Sequence, residues 1–296
     1  MKFIKCAVAI LLIAQYSAAQ ETAFLKGQFV EFVVNKDGVF YASGNIPTGF
    51  HNTQEDFSLV ADPDQNGWEV GSPAFYGDYF APGAPMEGFV VQVDEKVFRN
   101  SAVISKAKAK QAFESKVFQK SVEGLNHTVQ YEGEIKQLVN LTQKITFVEN
   151  DTKIKFDITV KNLDSKPHQI YYNRFADSDV GNKMDGSFRT MNQAKYQKKN
   201  NNASLVRGSS KSNEGYFSMF TTTEKSNSST DPTWFAKPKD LYQKVNNNLE
   251  KEEDSNLNLT FDLGLLQPNG VKVFTFYYLL NKDQEELLCP GGCEGS

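Results

Sequence analysis

Apolar and polar side chains alternate along much of this chain with a period of two. Between residues 144 and 160, Ile145 and Phe147 alternate with polar neighbours. Asn150-Asp151-Thr152 then turns the chain, and Ile154, Phe156, Ile158 and Val160 alternate on the return. A period of two sends those side chains to one face, which predicts a half-buried antiparallel hairpin. Residues 29–34 and 39–42 flank Asn35-Lys36-Asp37-Gly38 and predict another hairpin, with Gly38 free to take the positive φ of its turn. Shorter apolar runs cover residues 57–61 and 89–93. Near the end, Leu257, Leu259, Phe261 and Leu263 alternate and Gln267-Pro268-Asn269-Gly270 turns. Residues 271–280 return as an apolar, aromatic strand long enough to be central in a sheet.

Helix signals are scarce. Residues 105–114 hold helix-favouring residues without an apolar stripe and predict a short helix or an exposed loop. Residues 240–254 are a weaker candidate. Residues 67–88 (Gly, Pro and aromatics), 182–213 (Asn, Lys and Ser), 221–231 and 246–256 read as loops. Strand patterns flank each of them, so no linker divides the chain, and no repeat of fixed period occurs. The expectation is all-β: one large antiparallel β-sandwich with long polar loops over residues 20–288, after a leader at 1–19 and before a C-terminal tail at 289–296.

Composition adds the setting. The chain has 296 residues, 40% apolar and 12% aromatic, with 23 Phe, which excludes a disordered or collagenous chain. A net charge of −4 gives no basic footprint, so nucleic acid is not an expected partner. Lys2 and Lys5 precede an apolar run at residues 7–14 and the small residues Ser17-Ala18-Ala19. This predicts a secretory signal cleaved after Ala19; the alternative is an uncleaved anchor. Removing Lys2 and Lys5 takes the net charge from −4 to −6. The expected location is extracellular, without membrane insertion. Asn-x-Ser/Thr acceptors at Asn126, Asn140, Asn150, Asn202, Asn227 and Asn258 agree with export, although one or two can be chance in an Asn-rich chain. Cys6 leaves with the leader. Cys289 and Cys293 then flank Pro290-Gly291-Gly292, and a local disulfide is the expected state outside a cell. An interchain link, a redox pair and a metal site are the other readings of that spacing.

Three stretches carry a resemblance: Gly77-Asp78-Tyr79-Phe80-Ala81-Pro82-Gly83-Ala84-Pro85-Met86-Glu87-Gly88-Phe89; Asn173-Arg174-Phe175-Ala176-Asp177-Ser178-Asp179 with Thr190-Met191-Asn192; and Leu263-Gly264-Leu265-Leu266-Gln267-Pro268-Asn269-Gly270. Together they resemble extracellular β-sandwich domains of secreted and surface proteins, some related in shape to the aldose-epimerase-like supersandwich. The resemblance implies a fold and a cell-surface or matrix setting, and carries no catalytic residues across.

Candidate chemistry centres on acids. Asp62, Asp64, Asn66 and Glu69 fall in the spacing D-x-D-x-N-G-x-E, where alternate oxygens before a Gly turn can wrap a hard cation. Pro73 stands where an EF-hand needs its last Glu, so an EF-hand is excluded; a different calcium loop or a solvated turn remains. Asp177 and Asp179 form a second acidic pair, with Arg174 near enough for an ion pair to take up the charge. Calcium is the one cofactor these residues suggest. Trp68, Phe75, Tyr76, Tyr79, Phe80 and Trp234 suggest either a sugar- or partner-binding surface or rings that plug the sandwich. The three His residues lack metal-ligand spacing, and there is no Gly-x-Ser-x-Gly elbow. The sequence therefore leans away from catalysis. It predicts a glycoprotein of a matrix, coat or surface layer that binds proteins or glycans, or else a secreted protein that binds or modifies carbohydrate.

Overall fold

The computed structural model describes residues 21–51, 54–68, 77–182, 186–197, 203–211 and 215–288. The early strands are β1 (Thr22–Lys26), β2 (Val30–Asn35), β3 (Ala42–Ser43), β4 (Asp56–Phe57), β5 (Leu59–Ala61), β6 (Glu87–Val93) and β7 (Lys96–Ser101). A middle run of ten-residue strands follows: β8 (Glu114–Glu123), β9 (Asn126–Ile135), β10 (Val139–Val148), β11 (Lys153–Asn162) and β12 (His168–Asp177). The last strands are β13 (Thr190–Tyr196), β14 (Ser204–Ser209), β15 (Tyr216–Thr221), β16 (Ser226–Asp231), β17 (Lys251–Glu253), β18 (Asn256–Leu266) and β19 (Val271–Leu279). Among the described residues, the short helices are α1 (Ala102–Lys106), α2 (Pro238–Gln243) and α3 (Asp283–Leu288).

All pairings are antiparallel, and they build two large sheets. One has nine strands in the order β17-β13-β14-β15-β19-β11-β10-β9-β8; the other has five, β16-β18-β12-β6-β7. Their inner faces meet in one apolar layer. Phe156, Phe274, Phe276 and Tyr278 of the large sheet pack on Tyr172 and Phe261 of the smaller one, with Phe261 and Phe274 ring centres 4.3 Å apart. A three-stranded sheet, β1-β2-β5, extends this core, and Phe32 meets Phe147 edge-on at 5.3 Å. The all-β sandwich follows from the alternation: Ile145, Phe147, Ile154, Phe156, Ile158 and Val160 are all buried, in the register Ile145↔Phe156 and Phe147↔Ile154.

Several expectations change. Residues 39–41 do not return as a strand beside β2, because β1 and β5 occupy both its edges. The turn itself forms, with the Gly38 N–H donating to the Asn35 carbonyl at 2.9 Å. Val39 and Phe40 then enter the core, and Phe40 stacks on Phe32 at 5.1 Å. Gly38 has φ 76°, and a Cβ there would lie 2.6 Å from Gln143 Nε2, so only glycine fits. The turn at residues 267–270 does not close a hairpin either. It carries the chain from β18 in one sheet to β19 in the other, where β19 is the central strand as expected. The predicted loops contain β13, β14, β16 and β17. The helix candidates shrink to α1, which ends at Lys106, and α2, which ends at Gln243. No helix among the described residues is long and apolar enough to cross a membrane.

Candidate functional site

The geometric centre of the core is ionic. Arg174 on β12 and Glu87 on β6, neighbouring strands of the five-stranded sheet, are fully buried and form an ion pair on its inner face. Arg174 Nε donates to Tyr278 Oη at 2.6 Å, and its Nη1 donates to Gln143 Oε1 at 3.1 Å. Glu87 accepts from Tyr278 Oη at 2.8 Å and from the Phe40 N–H at 2.8 Å. The guanidinium lies over the rings of Phe156, Tyr278 and Phe40 at 5.0, 5.6 and 5.7 Å. Burial holds the Glu87 carboxyl above its usual range, although Arg174, the Phe40 amide and the Tyr278 hydroxyl pull against the rise. Burial likewise opposes the Arg174 charge, and Glu87 outweighs it. The pair is sealed and structural: both side chains are fully buried and face Tyr278.

The first acidic loop is organised by its own backbone. Asp62 is fully buried and accepts from the N–H groups of Asn66, Gly67 and Trp68 at 3.3, 2.9 and 3.2 Å. Asn66 Nδ2 donates to Asp64 at 3.0 Å. Donors, rather than a space between oxygens, therefore surround the Asp62 carboxylate, as in an Asx turn. Glu69 lies outside the described residues, as do Phe75, Tyr76, Asn202, Cys289 and Cys293. Among the described residues, no group of three His, Cys, Asp or Glu is arranged to hold a metal ion.

Asp177 and Asp179 differ from Asp62. Arg174, which the sequence offered as their ion-pair partner, turns inward to Glu87 instead, because Arg174 and Asp177 are three apart on β12 and an odd separation on a strand puts side chains on opposite faces. Asp177 and Asp179 are buried, and one carboxylate oxygen of each (Oδ1) has no hydrogen-bond partner. Burial first, then Asp254, holds Asp177 well above the usual carboxylate range. Asp179 is pushed up to about 9 by burial, then by Asp177, Asp254 and Asp78.

All three histidines have carboxylate partners. His51 Nδ1 lies 3.0 Å from Glu31, His127 Nε2 2.6 Å from Glu149, and His168 touches both Asp94 and Asp164. Glu31 also accepts from the His51 N–H at 2.7 Å and pairs with Lys26 at 3.0 Å, and His51 stacks on Trp68 at 4.2 Å. Tyr79 and Phe80 are buried, as plugging rings would be, whereas Trp234 is 38% exposed.

A pocket opens on the outer face of the nine-stranded sheet. It has a volume of about 230 Å³ and is lined by Arg207 and Ser209 of β14, Tyr216 of β15, Glu250 and Lys282. The register Arg207↔Ser218 and Ser218↔Leu279 puts these side chains on the face opposite the core. Tyr216 is only 4% exposed, and its hydroxyl has no hydrogen-bond partner. The same holds for Arg207 Nε, and for Ser218 Oγ in the same row. Arg207 reaches Glu250 at 3.5 Å. Buried polar groups are normally paired, so two orphans in the wall of one concavity, with Ser218 adjacent in the row, mark a place suited to something that supplies partners. The described lining carries two cations and one carboxylate, a balance suited to a polar ligand with acceptor oxygens.

Sequence reasoning did not find this pocket. β14 and β15 lie in or beside segments of Asn, Ser and Lys that read as loops, and Arg207, Tyr216 and Lys282 are far apart in the chain. The run Leu205-Val206-Arg207-Gly208-Ser209 has no apolar alternation, so no local pattern marks the strand that carries the lining.

No family model and no curated protein matches the chain. Solved structures of similar shape include a bacterial glucoamylase, at 10% identity over 90% of this chain and 33% of that one, with a TM-score of 0.43. A TPR-domain-containing protein from Parabacteroides distasonis has 10% identity over 86% of this chain and 46% of that one, with a TM-score of 0.46. A protein of aldose 1-epimerase type from Klebsiella pneumoniae subsp. pneumoniae has 11% identity over 85% of this chain and 76% of that one, with a TM-score of 0.42. The chain spans a third to under half of the first two. The likeness is one of overall all-β shape and goes no further.

Proposed function

We propose that this chain is an exported binding protein of a matrix, coat or surface layer, and that its ligand seat is the pocket over β14 and β15. The supporting observation is the set of orphaned groups there: Tyr216 Oη at the wall, Arg207 Nε beside it and Ser218 Oγ in the same row, next to a 230 Å³ concavity. That volume is below the roughly 300–1,000 Å³ of a drug-sized pocket, so the ligand is about one ring in size. Arg207, Lys282 and Tyr216 present donors, and Glu250 presents an acceptor. A monosaccharide unit of a glycan matches this list, because it offers several hydroxyls and ring oxygens within one ring's span. Glu250 is the one acid in the described lining and is engaged by Arg207, so the lining favours holding a sugar over cleaving one. Export rests on the leader-like residues 1–19 and the sequons.

Titration calorimetry against neutral and acidic monosaccharides and short glycans tests the reading. Saturable heat from at least one sugar is expected, with about tenfold or greater weakening in Tyr216→Phe and Arg207→Ala, since each removes a donor to the ligand. Binding that survives both variants, or no heat with any glycan and turnover of a reducing sugar instead, overturns it.

A further inference from the structure

The end of β12 and the start of β18 bring together oxygens that lack donors. Asp177 is the cross-strand partner of Asn256, so the two side chains share a face. Asp179 follows Asp177 by two residues and Asp254 precedes Asn256 by two, and the charge of Asp254 acts on both Asp177 and Asp179. Asp177, Asp179 and Asn256 are 5%, 2% and 2% exposed, and an Oδ1 atom of each has no hydrogen-bond partner. Asp254 is exposed, so the group opens to solvent on that side. Asp78 lies close by but is fully used: it accepts from Ser58 N–H and Oγ and from the Phe80 and Ala81 N–H groups. Buried carboxylates are tolerated when paired with a base, fed by donors, or bound to a cation. Asp231, the other neighbour of Asn256 across the sheet, has its base in Lys244. No equivalent base faces Asp177 or Asp179 among the groups that act on their charge.

We propose that Asp177, Asp179 and Asn256 hold a hard divalent cation, with Asp254 adding negative charge nearby rather than a ligand, calcium being the best fit. The acids do not form a three-carboxylate cage by themselves. The shell would combine carboxylate oxygens with the Asn256 amide oxygen and waters, as hard cations accept. Such a mixed shell gives weak affinity, which about millimolar extracellular calcium still saturates. The site is separate from the glycan pocket, and its test does not depend on that reading.

The experiment uses the full chain stripped with EDTA and dialysed. Calcium chloride titrated by calorimetry should bind once per chain and raise the melting temperature, with magnesium weaker. The variant Asp177→Asn with Asp179→Asn should lose the response. Asn256→Asp, which adds an anionic oxygen, should tighten binding about tenfold. Asp62→Asn with Asp64→Asn should leave the response intact. An unchanged wild-type melting curve and no heat would overturn the proposal. So would a response that persists in the Asp177/Asp179 variant or vanishes in the Asp62/Asp64 one.

Discussion

At the scale of single residues, the centre of the sandwich depends on one charge pair. Glu87 and Arg174 face each other with every strong partner supplied from a different strand: Tyr278 from β19, Gln143 from β10 and the Phe40 amide from the chain after β2. Removing one member leaves the other charge buried and unpaired, which costs far more than the pair contributes. Glu87→Ala should therefore destabilise the fold by about 3–5 kcal/mol. Replacing both, Glu87→Met with Arg174→Met, should recover much of that loss, because two apolar side chains need no partners. Urea unfolding of the two variants measures the difference, and a double variant no better than Glu87→Ala would show that the hydrogen bonds, rather than the charges, matter. The sequence places Arg174 three residues ahead of Asp177, near enough for an ion pair. Spacing along the chain could not show that alternation on β12 sends these two side chains to opposite faces of a sheet.

At the scale of elements, the histidine at the start of β12 ties it to the turn between β6 and β7. His168 Nδ1 lies 2.7 Å from Asp94 and Nε2 lies 3.0 Å from Asp164, while Asp94 also accepts from the Gln169 N–H at 3.0 Å. Only the imidazolium can donate to both acids. Burial works against its charge, and the hydrogen bonds to Asp94 and Asp164 more than offset it, so its pKa is raised. Both acids are held below the ordinary carboxylate value, His168 being the largest cause for each. A raised histidine contributes stability below its unfolded pKa and loses it as pH rises through the folded one; the lowered acids contribute above their unfolded values. The clasp is thus strongest from about pH 4.5 to 6.5 and fades above that. Melting temperature should fall less between pH 6 and pH 8.5 in His168→Gln than in the native chain. Parallel slopes would refute the clasp. The strands most legible in the sequence, β10, β11 and β19, alternate apolar residues on one buried face. Strand β16, Ser-Asn-Ser-Ser-Thr-Asp, was read as a loop although all six residues are buried. Its burial is supported by hydrogen bonds instead: Asn227 Nδ2 donates to the carbonyls of Leu241, Tyr242 and Lys244, and Ser228 Oγ donates to Tyr196. Those partners are set by the tertiary fold, so no local pattern reports them.

At the scale of the whole molecule, the fold sorts the glycan acceptors by position. Asn126 opens β9 and pairs in register with Val148, so it lies at the same end of the nine-stranded sheet as Asn150 in the β10–β11 turn, and both are exposed. Asn140 begins β10 at the opposite end, half-buried, with its amide donating to Glu132 at 2.9 Å. Asn227 and Asn258 are each 3% exposed inside the five-stranded sheet. Asn258 takes a hydrogen bond from Asn173 at 3.0 Å and donates to the Asn256 carbonyl, while Asn227 is held beneath α2. A glycan on either would have to break these bonds and displace the elements above them, so the sheet that pairs Asn227 with Thr260 and Asn258 with Ser229 also removes both as acceptors. Expression through a eukaryotic secretory pathway, followed by enzymatic deglycosylation, reads this out. Asn126→Gln and Asn150→Gln should each remove one mobility step, and Asn227→Gln and Asn258→Gln should remove none. A glycopeptide carrying sugar at Asn258 would mean that β18 does not pair with β12 as described. A chain that emerges with no sugar on Asn126 or Asn150 would count against export itself, because these two turns offer an acceptor that nothing in the described fold covers.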